Sequence, residues 1–363
     1  MLGRVREAVR TAIKSRTIRY RYNRRVDSLS AAQGVFAKGE MADDARLIDR
    51  LEASFNARSE RPTGQWSDIF SDRHQDIRDA FGARDRAAIE RILRNPATSD
   101  IFYGFDPTGR SVREFGLRIE DRHAPRLALD ALVSFAEAIG ARPLDYPENY
   151  GLRRNVISAD AVLDEIESAL AVRLGFPNPF PGEYGLRTTR GVIGFRTPQA
   201  IYQAWRMKRL LGHKANPRVL EIGGGLGRSA YYARAFGLKD YTIVDIPVSS
   251  LAQGYFLGRT LGPDRICVQG ETPHADAVKL ISPKDFFNGS DRYDLILNAD
   301  SLTEIGRSAA NEYWSQIQQR CSVFLSINHE ANEFTISDLI GERPALRYPY
   351  WMRRGYVEEV VNF

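Results

Sequence analysis

The residues best placed to do chemistry lie in one short run, Arg218-Val-Leu-Glu-Ile-Gly-Gly-Gly-Leu-Gly-Arg-Ser-Ala230. Glu221 sets a carboxylate just ahead of four closely spaced glycines, Gly223, Gly224, Gly225 and Gly227. Glycine lets the backbone take positive φ and lets a ligand approach the main chain. The residues from Arg228 to Phe236 have a helical pattern, so their first-turn N–H groups would point into the glycine turn. A second acid, Asp245, follows Glu221 by 24 residues. That is near the offset at which a carboxylate accepts hydrogen bonds from ribose hydroxyls. The chemistry this spacing implies is the binding of a nucleoside-like ligand with a charged tail.

A pyrophosphate tail would be repelled by Glu221, whereas an ammonium and a sulfonium would be attracted. The two acids therefore favour S-adenosylmethionine over NAD, although Gly225-Leu-Gly-Arg-Ser-Ala230 also fits the dinucleotide pattern G-x-G-x-x-A. Three later apolar runs end in polar residues too: Gln269-Gly-Glu271, Asn298-Ala-Asp-Ser-Leu-Thr-Glu304 and Asn328-His-Glu-Ala-Asn332. Ligands of open α/β sheets bind beyond the carboxyl ends of the strands, so these ends are expected to share one site. A hydroxyl acceptor benefits from a general base. His329 is the candidate, because imidazole titrates near neutral pH. Asp300 and Glu304 either orient His329, bind hydroxyls, hold a divalent cation or cap a helix. No metal ligand set is assigned.

The elements that must position these groups alternate from residue 218 onward. Strands are read at 218–222, 241–245, 265–269, 293–298 and 322–327, with helices at 228–236, 248–261 and 309–319. That alternation implies a doubly wound, mostly parallel sheet covered on both faces. Only 36 residues follow Ile327, and 356–363 reads as the last strand, so one closing element is expected to be reduced or missing. Ahead of the sheet lies a mainly helical domain over 26–175, with its clearest helical patterns at 41–55, 76–93, 121–139 and 160–174. Residues 176–217 form a loop and a linking helix. Glycine and proline crowd 175–182 and forbid regular structure there. Arg187, Arg190 and Arg196 follow, in a segment that either covers the site or only links the domains. Thr197-Pro198 starts the linking helix, which runs to about Leu211.

Hydrophobic residues make up 43% of the 363 and charged residues 27%, an ordinary balance for a globular protein. The net charge of +5 is unevenly spread. Residues 1–25 carry nine basic side chains against Glu7 and so +8, leaving −3 elsewhere. The basic arm has an amphipathic pattern suited to a membrane surface or to solvent, and the acidic remainder argues against nucleic-acid binding. Cys267 and Cys321 are the two cysteines; both fall in or beside apolar runs and are expected as buried thiols. No run reaches eighteen apolar residues and no secretory pattern opens the chain, so a cytoplasmic location is expected, with the arm as a peripheral contact at the inner membrane face.

The run Val219 to Arg228 resembles the first motif of class I S-adenosylmethionine-dependent methyltransferases. Three later stretches, 294–304, 324–332 and 348–356, are similar to a narrower group of sugar O-methyltransferases. The resemblance implies a Rossmann-like domain over 218–363 that binds S-adenosylmethionine and methylates a sugar hydroxyl in glycan or polysaccharide biosynthesis. It implies that Glu221, Gly223, Gly225 and Gly227 hold the methionine part, that Asp245 holds the ribose, that Gln269 or Glu271 lies near the adenine, and that Asn298 lies beside the methionine. Tyr348, Tyr350, Trp351 and Tyr356 among Arg347, Arg353 and Arg354 suit an acidic or nucleotide-linked sugar, or else a closing segment packed on the sheet. Two rival readings are an NAD-dependent oxidoreductase or epimerase and a non-catalytic scaffold of a polysaccharide assembly complex. The first lacks a Tyr-x-x-x-Lys pair after the fourth strand, and a nucleic-acid N-methyltransferase would want Asn-Pro-Pro-aromatic where Asn298-Ala-Asp-Ser301 stands.

Overall fold

The computed structural model describes residues 29–58, 60–106, 108, 124–144, 156–353 and 355–363. The basic arm at 1–25 and Arg354 lie outside the described residues. Strand β4 (Arg218–Ile222) buries Val219, Leu220, Glu221 and Ile222 on both of its faces, as a central strand between two layers must. It pairs in parallel with β5 (Asp240–Val244) on one side and β8 (Tyr293–Ala299) on the other. Beyond β5 come β7 (Val278–Ile281) and the two-residue edge strand β6 (Ile266–Cys267). Beyond β8 come β9 (Cys321–His329), then β11 (Tyr356–Asn362), then β10 (Ala345–Pro349) at the far edge. Only β11 runs against its neighbours. The strand order reverses between β4 and β8, and a ligand cleft belongs at the carboxyl ends there.

The doubly wound sheet is therefore present, with two differences from the sequence reading. The strand expected at 265–269 shrinks to β6, and β5 pairs instead with Val278-Lys-Leu-Ile281. The second concerns only which element is short: one closing element is reduced, as expected, and it is the helix between β9 and β10, cut to Ile336–Ile340, while both β10 and β11 form. The segment 345–349, which carries Arg347 and Tyr348 of the aromatic and arginine cluster, is the edge strand.

Ahead of the sheet, α1 (Ala45–Asn56), α2 (Gln65–Asp72), α3 (Gln75–Gly82), α4 (Arg86–Arg94), α5 (Ala124–Ala138) and α6 (Ala159–Leu170) form the helical part. The helix expected over 76–93 is two helices. Arg84 takes φ +53° and the Asp85 carboxylate accepts from the Ala88 N–H at 3.1 Å, capping the second. A small antiparallel sheet joins β1 (Gly34–Lys38), β2 (Pro181–Thr188) and β3 (Gly191–Gly194). The arginine-rich segment after residue 185 is thus a hairpin leading into α7 (Thr197–Leu211). The apolar core runs without a break from α1 to the sheet. A Cβ at Gly254 of α9 (Pro247–Leu261) would stand 2.4 Å from Leu51, and one at Gly258 would stand 2.7 Å from Leu47. Those glycines let α1 lie directly on α9.

Candidate active site

The turn after β4 is built by close approach. Gly223 takes φ +73°, donates its N–H to the Val244 carbonyl at 3.0 Å, and would carry a Cβ 2.2 Å from Ser301 Oγ. Ser301 in turn donates to the Ile222 carbonyl at 2.9 Å. Gly225, at φ +54°, faces the cavity wall beside Phe105. Gly227 does something different: it caps α8 (Arg228–Ala235), packs against Leu257 and does not line the cavity.

Glu221, Gly223, Gly225 and Asp245 line one cavity at the strand ends, and Asp300 and Ser301 line its other side. Glu221 is 2% exposed. Burial pushes its carboxyl up to about 7, against the Tyr241 hydroxyl that donates to Oε2 at 2.9 Å. No lysine or arginine among the described residues pairs with it. Burial also pushes Asp245 up to about 6. Its Oδ1 accepts from the Ile246 N–H at 2.8 Å and its Oδ2 from Gln253 Nε2 at 2.6 Å. A carboxylate has about four acceptor positions, so Asp245 keeps capacity for ligand hydroxyls.

The other wall centres on Asp300, a non-glycine residue at φ +58° whose N–H donates to the Ile327 carbonyl. The Tyr356 hydroxyl lies 2.9 and 2.8 Å from its two oxygens. Arg353 Nη1 and Arg196 Nη1 both reach Oδ2, at 3.1 and 3.4 Å. His329 Nε2 stands 3.6 Å from Oδ1, and its Nδ1 accepts from the Ala331 N–H at 3.2 Å. That backbone donor fixes the tautomer: in the neutral ring the proton sits on Nε2 and faces Asp300. Glu304 accepts from Trp66 Nε1 at 3.0 Å. Burial first, and the Asp300 charge second, push its carboxyl up to about 7. Ligand atoms of Asp300, Glu304 and His329 lie within 4.8 Å of one another. Two guanidiniums on Asp300 and a proton on His329 Nε2 nevertheless make this a poor donor set for a cation.

The structure does not bring every expected residue to the cavity: Asp300 lines it, whereas His329 and Glu304 stand beside Asp300 without lining it. Gln269 stands outside it, beyond the edge strand, and Glu271 is tied to Arg50 at 2.6 and 2.8 Å. The strand end that does reach the cavity there is β7, through Pro283. Asn298 is fully buried and spends its amide on the Ile222 carbonyl (3.0 Å) and Ser301 Oγ (2.6 Å), bracing the glycine turn. Of the aromatic and arginine cluster near the C-terminus, Tyr356 lines the cavity and Arg353 reaches Asp300. Tyr348 donates to Glu358, and Arg347 pairs with Glu330 and Glu359.

Several site residues had no sequence signal. Arg58 donates to the Asp245 carbonyl at 2.5 Å and to Ser250 at 2.7 Å. Trp66, Phe105 and Asp106 close the cavity from the helical side. Residues 63–66 are fixed to the loop after β8: Gln65 N–H donates to the Glu304 carbonyl (3.1 Å) and Thr63 to that of Ile305 (2.9 Å). Arg228 is buried and bridges Asp106 and Glu183 at 2.8 and 2.9 Å. Its place inside the glycine motif was the one available hint.

No protein-family model and no curated protein matches the chain. Solved structures do. A glycopeptide N-methyltransferase complexed with sinefungin aligns at 12% identity and TM-score 0.35, covering 49% of this chain and all of that one. A magnesium protoporphyrin IX methyltransferase from Synechocystis with bound S-adenosylmethionine aligns at 11% identity and TM-score 0.32, covering 46% of this chain and 78% of that one. No described helix is long and apolar enough to cross a membrane.

Proposed function

We propose that the protein is an S-adenosylmethionine-dependent O-methyltransferase acting on a sugar hydroxyl. The observation that carries the cofactor is Glu221, a buried carboxylate in the cavity wall with no cationic partner among the described residues. A buried charge is costly unless it is paired. An ammonium or sulfonium at the glycine turn supplies the missing partner, and a pyrophosphate does not. Asp245 has the acceptor capacity for ribose hydroxyls, and Gly225 leaves the main chain open to close approach.

When bound, S-adenosylmethionine supplies an electrophilic methyl group on a sulfonium. The chain's own residues then have three tasks. Trp66 and Phe105 exclude water from the cavity, and orientation of the acceptor supplies much of the rate. Asp300, fixed by Tyr356, Arg353 and Arg196, accepts a hydrogen bond from the acceptor hydroxyl and aims its oxygen. Glu304, beside Asp300 and with its carboxyl pushed up to about 7, takes up the proton that Asp300 receives from the hydroxyl. His329, with Nε2 3.6 Å from Asp300 Oδ1, stands beside this pair and helps to orient it. The sugar is the acceptor that the resemblance of 294–304, 324–332 and 348–356 implies, and the paired carboxyls of Asp300 and Glu304 fit a hydroxyl acceptor.

Calorimetry with S-adenosylmethionine and with NAD is the test. Binding of the first alone is expected; tighter binding of NAD would overturn the reading.

A further inference from the structure

The acceptor wall holds two arginines whose guanidinium forks are only partly used, beside the carboxyls of Asp300 and Glu304. Arg196 and Arg353 approach the same oxygen, Asp300 Oδ2, each through Nη1 alone. Neither fork makes a further hydrogen bond among the described residues; Arg196 lines the cavity and Arg353 stands beside it, on the same carboxylate. Both side chains are about three-quarters buried, at 28% and 27% exposure. Burial first, and the neighbouring Arg196 charge second, hold the Arg353 guanidinium below its usual range. Arg353 stacks on the Tyr356 ring at 4.0 Å, which fixes its plane.

We infer that the acceptor carries an anionic group, a carboxylate or a phosphate, gripped by Arg196 and Arg353 beside the hydroxyl that Asp300 orients. Guanidinium forks match either anion in a bidentate way. The substrate class is thus an acidic sugar, a uronic acid or a sugar phosphate. The inference rests on the methyltransferase reading.

The experiment is calorimetry on the full chain saturated with S-adenosylhomocysteine, titrated with D-glucuronate, D-glucose 6-phosphate and D-glucose. Saturation separates the two claims: if S-adenosylhomocysteine does not bind, the methyltransferase reading fails. If it binds, at least one anionic sugar is expected to bind about tenfold or more tightly than glucose. The stronger of the two identifies the anion as carboxylate or phosphate. Arg353→Gln should remove that preference while keeping S-adenosylhomocysteine affinity within about twofold of wild type. Equal binding of all three sugars, or binding of none, would overturn the inference. So would Arg196→Gln or Arg353→Gln variants that lose S-adenosylhomocysteine affinity without changing sugar preference, since the arginines would then serve the cofactor's own carboxylate.

Discussion

Glu221→Gln separates what the fold wants from what the site wants. Burial raises this carboxyl from 4.5 to about 7. A group whose folded pKa lies above its unfolded value stabilises the fold only while protonated, and that contribution is lost as pH rises through about 4.5 to 7. At 1.36 kcal/mol per pKa unit, the ionised form strains the ligand-free fold by about 3 kcal/mol at pH 8. Glutamine keeps the shape and removes the charge. The ligand-free variant should therefore melt about 4 °C above wild type at pH 8, taking an unfolding entropy of about 2.1 cal/mol/K per residue. The two should converge near pH 4.5. The effect on binding has the opposite sign: loss of the counter-charge should weaken S-adenosylmethionine about ten- to hundredfold. Calorimetric melting at both pH values, with cofactor titration at pH 8, measures both. A variant that melts below wild type at pH 8, or that keeps full cofactor affinity, would refute the account of Glu221 as an uncompensated charge awaiting a cation.

Three further outcomes follow from the geometry. With methyl donor and acceptor saturating, kcat of the wild type should rise as pH passes through about 7, the value set for Glu304 by burial and Asp300. Glu304→Gln should flatten that limb and lower kcat about a hundredfold; an unchanged profile would remove Glu304 as proton acceptor. Gly223→Ala forces a Cβ to 2.2 Å from Ser301 Oγ at φ +73°, so cofactor affinity should fall by tenfold or more, read by calorimetry. Leu51→Ala opens a cavity between α1 and α9 and should cost about 2–5 kcal/mol in denaturant unfolding, with a single transition because the core is continuous.

The sheet and its glycine turn were legible because the apolar Val219, Leu220 and Ile222 stand directly ahead of four closely spaced glycines, a marker the third strand lacks. The third strand was misplaced for the matching reason. Val278-Lys-Leu-Ile281 is short and interrupted by Lys279, which pairs with Asp240 at 2.7 Å across the strands. That displacement carried Gln269 away from the site. His329 shows a different barrier. Its place past a strand end could be read, but the Ala331 N–H that captures Nδ1 is a matter of loop geometry. Arg58 and Trp66 reach partners 187 and 238 residues away, and no local pattern records contacts of that range.

The two walls of the cavity are complementary in what they lack. On the β4–β5 side, Glu221 is a buried acid with no cationic partner among the described residues, and the half-buried Asp245 has only the Arg58 guanidinium near it, bonded to its carbonyl. On the β8–β9 side, two arginines each spend a single donor on Asp300 and leave the rest of their forks unused among the described residues. Both deficits are costly in a site of low dielectric, and neither side chain set can cross the cavity to cancel the other. A cationic ligand on the first wall and an anionic one on the second would each be drawn to a single orientation, with their reacting ends meeting between Ser301 and Asp300. The same separation predicts that the two ligands should assist each other: filling either wall removes a field that the other must otherwise screen. Measured as the ratio of S-adenosylhomocysteine affinities with and without an anionic sugar, that coupling should exceed unity and shrink with added salt. A ratio at or below one would mean that the walls act independently and that the charge separation plays no part in binding.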